Sequence, residues 1–263
     1  MRASSSSSSL SRPPQSCLAR IRTDLKDLYK DPLPGICVKI ADESDITKIF
    51  ALITGPSQTP YEGGFFLFKL EIPSEFPNVP PKCELLTTDS GRVRFNPNLY
   101  ANGKVCLSIL GTFTGPSWSP AQSISSVLLS IQSLMNSRPY CNEPGFESPR
   151  DPRDPAMYNE CILHETIRVA FCDVLEEDTS TSRMLPEDFR LLVKEVGPSF
   201  FPIHEENCRS RLSSDGKRMI DPFGEERGRF QWAKLLSRIE KLKELFNYLE
   251  TDDEEEEEEE EEE

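Results

Sequence analysis

Four stretches rich in β-formers follow one another with connections too short to hold a helix, and that succession limits the fold more than any other feature of the chain. They are ICVKI (36–40), TKIFALITG (47–55), FFLFKLEIP (65–73) and KCELLTT (82–88). Turn signals separate them: ADESD, GPSQTPYEGG and PSEFPNVPP. A parallel crossover needs about a dozen residues or more, so the segments predict a four-stranded antiparallel meander.

Helical periodicity flanks this sheet. Leu18, Ile21, Leu25 and Leu28 recur at helical spacing, with Arg20, Arg22, Lys26 and Lys30 on the other faces. The pattern predicts an amphipathic helix with a basic outer face, ending before DPLPG. Downstream, Ser119, Pro120 and Gln122 read as N-cap, N1 and N3 of a capping box. Ile124, Val127, Leu128, Ile131, Leu134 and Met135 then form one apolar stripe. A further helix is expected from Asp154-Pro155, with Leu163, Ile167, Ala170, Phe171 and Val174 inward. Helix, four strands, a loop with Cys106 and two helices make an α+β domain.

Beyond about residue 176 the chain reads differently. One or two short helices are expected around GPSFFP, then the turn DPFGEERG (221–228), then a long helix with Trp232, Leu235, Ile239, Leu242, Phe246 and Leu249 on one face. The expected organisation is a Ser/Pro-rich disordered start over 1–15, a core domain over 16–175, a helical extension over 176–250 and a disordered acidic tail over 251–263.

Charge excludes one class of partner. The net charge of −15 comes from the end of the chain: residues 250–263 hold 13 of the 45 acidic residues, which leaves 32 against 30 basic ones. A near-neutral body carries no nucleic-acid footprint. The glutamate run repels itself and reads as a solubility tail, with an interaction tail as the alternative. The N-terminus lacks the apolar region of a secretory signal. No run of about 18 apolar residues is present to span a membrane. The eight cysteines, at 17, 37, 83, 106, 141, 161, 172 and 208, include no C-x-x-C and match no zinc ligand set. Eight free thiols in a reducing compartment are expected.

Cys106 stands apart from the others. It follows the last strand in a loop that opens on a proline-fixed turn, with the turn signal ANGK just before it, so it is expected to be exposed; Cys37, Cys83, Cys161 and Cys172 fall in strand or helix patterns and are expected in the core. A thiol of ordinary pKa needs no adjacent base to accept an acyl group from another thioester, being a few per cent thiolate at neutral pH. Such chemistry does need a donor for the tetrahedral oxyanion. The Asn98 amide is the candidate.

These residues resemble the ubiquitin-conjugating enzymes. The shared elements are T-G-P, P-Y-E-G-G, the F-P…P-P turn, x-P-N, G-x-x-C-L-x-I-L and W-S-P-A with a serine-rich amphipathic helix after it, in family order and spacing over roughly 16–175. The resemblance implies the ubiquitin-conjugating fold: N-terminal helix, four-stranded meander, active-site loop and C-terminal helices, here with a helical extension. It implies that Cys106 forms the thioester, that Asn98 supports the oxyanion during lysine attack, and that Glu143 stands beside the incoming lysine. It gives Arg20, Arg22 and Lys26 as contacts to the activating enzyme. It gives the neighbourhood of Asn78, Ser119 and Pro120 as the ligase-facing surface. The extended branch of the family that the chain resembles is charged by a dual-specificity activating enzyme, carries ubiquitin or a tandem ubiquitin-fold modifier, acts on substrate proteins with ubiquitin ligases, and works as a monomer in cytoplasm and nucleus. It needs no cofactor, since ATP is used upstream by the activating enzyme.

Departures from the family pattern are specific. The usual His-Pro-Asn triplet is Asn96-Pro97-Asn98, and the only histidines, His164 and His204, lie far downstream. In the family that histidine props the loop, and Asn96 is expected to supply the same local bonds. Four extra residues separate Cys106 from Trp118. Asn78 replaces a common ligase-binding aromatic, and Ser108 a common acidic residue. Two other readings stand beside the carrier: an inactive ubiquitin-binding variant of the same fold, which would lack the cysteine, and a cysteine hydrolase with His164 or His204 as base.

Overall fold

A computed structural model describes residues 13–149 and 151–261, with side chains described as far as Asn247. Helix α1 (Gln15–Lys30) leads into β1 (Ile36–Asp42), β2 (Asp45–Thr54), β3 (Phe65–Glu71) and β4 (Lys82–Leu85). The strands form one antiparallel sheet in the order β1-β2-β3-β4, with Ile36 opposite Ile53, Thr54 opposite Phe65 and Phe68 opposite Leu85. This is the meander that the short connections dictate. Helices α2 (Ile124–Leu134) and α3 (Asp154–Glu165) follow; α3 continues through a π-helical stretch, Thr166–Cys172, into the single turn α4 (Asp173–Leu175). The extension supplies α5 (Glu187–Val196), α6 (Phe201–Arg209) and α7 (Trp232–Glu261). Among the described residues no helix is long and apolar enough to cross a membrane.

Strand side chains alternate between two hydrophobic cores. From β2 and β3, Ile49, Ala51, Ile53, Phe66, Phe68 and Leu70 face the first core with α1 and α2. Leu52, Phe65 and Leu67 face the second, which holds Ile167 and Phe171 from the end of α3 and Phe189, Phe201, Trp232, Leu235 and Ile239 from the extension. A sheet covered on both faces needs apolar residues on both, which accounts for the unbroken run Phe65-Phe66-Leu67-Phe68. The described stripe of α7 is buried from Trp232 to Phe246, while the Leu249 side chain lies outside the described residues. So do residues 1–12 and the side chains of the glutamate run, although the α7 backbone continues through that run to Glu261, where a disordered tail is expected. Helix α1 opens at Gln15, one residue inside the stretch assigned to the disordered start.

The start of α2 corrects the expected capping box. The N-cap is Ser123, whose hydroxyl accepts from Ser126 N–H while Ser126 Oγ accepts from Ser123 N–H. Ser119 and Gln122 do close a turn, with Ser119 N–H donated to Gln122 Oε1 at 2.9 Å, but one turn before the helix. Tertiary contacts move the boundary. Asp24 of α1, 4% exposed, accepts the Ile124 N–H at 3.0 Å, and Arg20 donates to the carbonyls of Pro120 and Gln122. A carboxylate at a helix N-terminus satisfies an orphan donor and meets the favourable end of the dipole.

His164 and His204 join the extension to the body. Gln231 N–H donates to His164 Nε2 at 3.0 Å, so that nitrogen is unprotonated and Nδ1–H donates to Glu165 Oε1 at 3.1 Å. His204 is fully buried, 4.2 Å centroid to centroid from the Phe171 ring, with no hydrogen-bond partner on either nitrogen. It packs on Gly63, where φ is +69° and a Cβ would come within 2.8 Å of His204 Nε2. Glycine is therefore required there on two counts. Burial pushes the His204 imidazole from 6.5 down to about 4. The unfolded chain then binds the proton more readily between those values, so stability falls as pH drops from about 6.5 towards 4. The expected loss is about 3 kcal/mol at the acid end. Urea titrations across that range should show it, and His204→Phe should flatten that part of the profile.

Candidate active site

Backbone pairing fixes the loop that carries Cys106. Phe95 and Asn96 N–H both donate to Leu99 O, and Leu99 bridges Val105. Cys106 N–H donates to Asn98 O at 2.8 Å, and Asn98 Nδ2 donates back to Cys106 O at 2.9 Å. The two residues singled out from the sequence are thus joined by a reciprocal pair of bonds. At rest one Asn98 N–H is held by the Cys106 carbonyl, while Asn98 Oδ1 is buried without a partner.

Asn96 bonds to four partners around the triplet. Fully buried, it donates through Nδ2 to Tyr61 Oη and to Leu134 O, each at 2.8 Å. Its Oδ1 accepts from Asn98 N–H at 3.0 Å and from Asn142 Nδ2 at 3.3 Å. The triplet is held to the β2–β3 loop, α2 and the 139–142 turn through one side chain. Tyr61, from P-Y-E-G-G, completes the network by donating to Phe95 O at 2.8 Å.

Cys106 is 4% exposed, against the expectation of an exposed loop thiol. The chain beyond it folds back as a 3₁₀ turn, Ser108–Leu110, and Thr112 closes the fold by donating to Val105 O at 2.7 Å and accepting from Leu107 N–H at 3.0 Å. Burial pushes the Cys106 thiol up; Lys104 and Arg94 pull it down, and Glu143 pushes it up. Its charged neighbours are therefore two cations and one carboxylate. The expected core positions of other cysteines need two corrections: Cys37 is exposed on the edge strand β1 and Cys83 is partly exposed on the edge strand β4. Cys161 and Cys172 are buried as expected.

Glu143 follows the 3₁₀ turn Pro139–Asn142, 36% exposed, with Oε2 3.9 Å from Arg94 Nη2. The structure brings it into the charged surroundings of Cys106. Both histidines are buried, with His164 in bonds to Glu165 and Gln231 and His204 packed against Phe171 of the second core, so neither serves as base for a hydrolase. Of the basic residues on α1, Arg22 and Lys26 are exposed. Arg20, the third contact candidate on α1, is bonded within the chain to Asp24, Pro120 and Gln122. Asn78, Ser119 and Pro120 are exposed. They belong to neighbouring loops, because Trp118 Nε1 donates to Pro77 O at 2.7 Å. Arg94 was not singled out by motif. It is an arginine in an apolar stretch, Val93 to Phe95, and that placement is the one signal the sequence offers.

The sequence pattern of the family described as ubiquitin-conjugating enzyme matches residues 20–153. The chain is 54% identical over 229 residues to "Ubiquitin-conjugating enzyme E2 Z" of Danio rerio, covering 87% of this chain and 68% of that protein. It is likewise 54% identical over 228 residues to the Homo sapiens protein of that name, covering 87% of this chain and 63% of the human one. A solved structure, "Structure of human Ubiquitin-conjugating enzyme E2 G1", aligns over 46% of this chain and 95% of its own at 33% identity, with a TM-score of 0.41. The chain thus spans about two thirds of the relatives it matches along most of its length, and it belongs to the ubiquitin-conjugating enzyme family, whose general reaction is acyl transfer through a cysteine thioester.

Proposed function

We propose that this chain accepts ubiquitin from an activating enzyme as a thioester on Cys106 and passes it to substrate lysines or to a ligase, and that a tandem ubiquitin-fold modifier is a second cargo. The observation that supports this most is the reciprocal hydrogen-bonded pair of Cys106 and Asn98 beside Glu143. The thiol is the only nucleophile this chemistry needs, and the acyl donor arrives already activated. A raised thiol also sets a pH dependence: the thiolate fraction, and with it the charging rate, rises with pH up to the thiol pKa. No cofactor enters, because ATP is consumed by the activating enzyme upstream. The dual-specificity activating enzyme meets α1 at Arg22 and Lys26, ligases meet the exposed loops of Asn78, Ser119 and Pro120, and the enzyme acts as a monomer in cytoplasm and nucleus. An inactive ubiquitin-binding variant is the competing reading; retention of Cys106 with Asn98 opposes it.

The test is incubation with activating enzyme, ATP and ubiquitin or the tandem modifier, followed by gels with and without reductant. A reductant-sensitive adduct supports the carrier; its absence with both modifiers overturns it.

Asn98 separates two steps of that reaction. Asn98→Ala is expected to keep thioester formation and to slow discharge to free lysine on the order of 100-fold, the usual effect of losing one oxyanion donor. Single-turnover discharge assays measure this. Equal losses in charging and discharge would instead make Asn98 a loop-structuring residue, the role its bond to Cys106 O already displays.

A further inference from the structure

The turn Asp221–Gly228 of the extension lies against both segments that carry the candidate site. On one side Phe223 sits among Tyr140, Phe146 and Tyr158, with ring centroids 5.1, 5.3 and 5.2 Å away. Tyr140 and Phe146 bracket Glu143. On the other side Arg227, 6% exposed, pairs with the fully buried Asp221 carboxylate and donates Nη2 to Arg94 O at 2.8 Å. Glu225 accepts from Arg94 Nη1 at 3.2 Å. Arg94 in turn donates to the carbonyls of Asn96 at 3.3 Å and Pro97 at 2.8 Å, and lies 4.2 Å over the Tyr100 ring. The second hydrophobic core does not include this turn; Phe223 packs against the first.

We propose that the turn Asp221–Gly228 is a built part of the active site, with Arg94 as its positioning residue: Arg227 and Glu225 set Arg94, Arg94 holds the Asn96-Pro97-Asn98 turn, and Phe223 holds the segment that bears Glu143. The inference rests on the carrier reading and deepens it. The buried Asp221–Arg227 pair fixes where the turn docks, since removing either partner leaves an uncompensated buried charge. The guanidinium fork reaches two carbonyls of the triplet and a carboxylate at once, which an ammonium cannot do. Glu225 and Glu143 share that one guanidinium. Glu225 is 44% exposed, so its charge can be removed without opening the core. Arg94 then pairs with Glu143 alone, and the surroundings of Cys106 carry one negative charge fewer.

The experiment uses the full chain with Glu225→Gln and Arg94→Lys. It measures melting temperature, the pH profile of Cys106 alkylation by iodoacetamide followed by peptide mass spectrometry, and single-turnover discharge against free lysine concentration. Glu225→Gln is expected to melt as wild type and to lower the alkylation midpoint on the order of 0.3 pH unit, the size of a weak, water-screened interaction with one unit charge. It should also raise the half-saturating lysine concentration several-fold, because Glu143 is held by Arg94. Arg94→Lys keeps the charge and loses the fork, so the midpoint is expected to stay while discharge slows several-fold at unchanged charging. An unmoved midpoint in Glu225→Gln together with wild-type discharge in Arg94→Lys overturns the proposal, as does a change confined to melting temperature in both. Failure of the wild-type chain to form a reductant-sensitive adduct would strike the carrier reading instead, and the alkylation profile would still report on the turn.

Discussion

A chain that ends at Glu176 is expected to aggregate or to melt far below the full-length protein. Truncation there strips α5, α6 and α7 from the outer face of the sheet and uncovers Leu52, Phe65, Leu67, Ile167, Phe171 and Leu175, all now at most 3% exposed. Returning large apolar side chains to water costs roughly 1.5–3 kcal/mol each. Six of them match or exceed the whole stability of an ordinary domain, about 5–15 kcal/mol. A single substitution should register the same dependence. Trp232 is fully buried, stacked 5.3 Å from Phe230 and edge-on to His164 at 4.9 Å. Trp232→Ala is expected to cost about 3–5 kcal/mol, the range for emptying an aromatic site. Removing only the glutamates from Glu254 onward should change neither stability nor charging. Urea and thermal unfolding of the four chains provide the comparison. Unchanged melting after truncation at Glu176 would make the extension an independent appendage.

Sheet and site were legible in the sequence to different depths. Strand order followed from connection length, because the chain cannot cross over in so few residues. Cys106, Asn98 and the supporting part of Asn96 followed from a motif whose residues lie within eleven positions and fold against each other locally. The second core was visible as the stripe from Trp232 and the run at Phe65, yet nothing in either pattern says that they meet; that pairing joins residues far apart in the chain. The start of α2 shows the same limit. Both Ser119 and Ser123 have capping chemistry, and the choice is made by Asp24 and Arg20, about a hundred residues upstream. Burial of Cys106 was hidden because turn signals on either side of a residue mark a loop without saying how the loop packs, and the fold-back closed by Thr112 is not written in them. DPFGEERG read as a compact turn, and its composition gives no hint that Arg227 reaches the Arg94 carbonyl.

Cys106→Ser is expected to abolish transfer to lysine while leaving a stable adduct. The serine hydroxyl occupies the same position, with its backbone still held between Asn98 O and Asn98 Nδ2. It can attack the incoming thioester, releasing the activating enzyme's thiol and forming an oxyester with the modifier's terminal carboxyl. The reverse partition fails at the next step. Lysine aminolysis of the oxyester must expel an alkoxide, a far poorer leaving group than the thiolate of the native intermediate. The adduct should therefore survive reductant, where the wild-type adduct does not, and discharge to free lysine should fall below detection. The other seven cysteines supply the control. All eight are free, and burial pushes the Cys161 and Cys208 thiols up to about 12, a larger shift than burial gives Cys106, which leaves them the poorer nucleophiles at neutral pH. Each changed singly to Ala should leave charging in place. Gels with and without reductant, together with a lysine discharge time course, decide the matter: a Cys106→Ser protein that still modified lysines at the wild-type rate would remove Cys106 from the reaction and leave the Asn98 pairing as loop architecture alone.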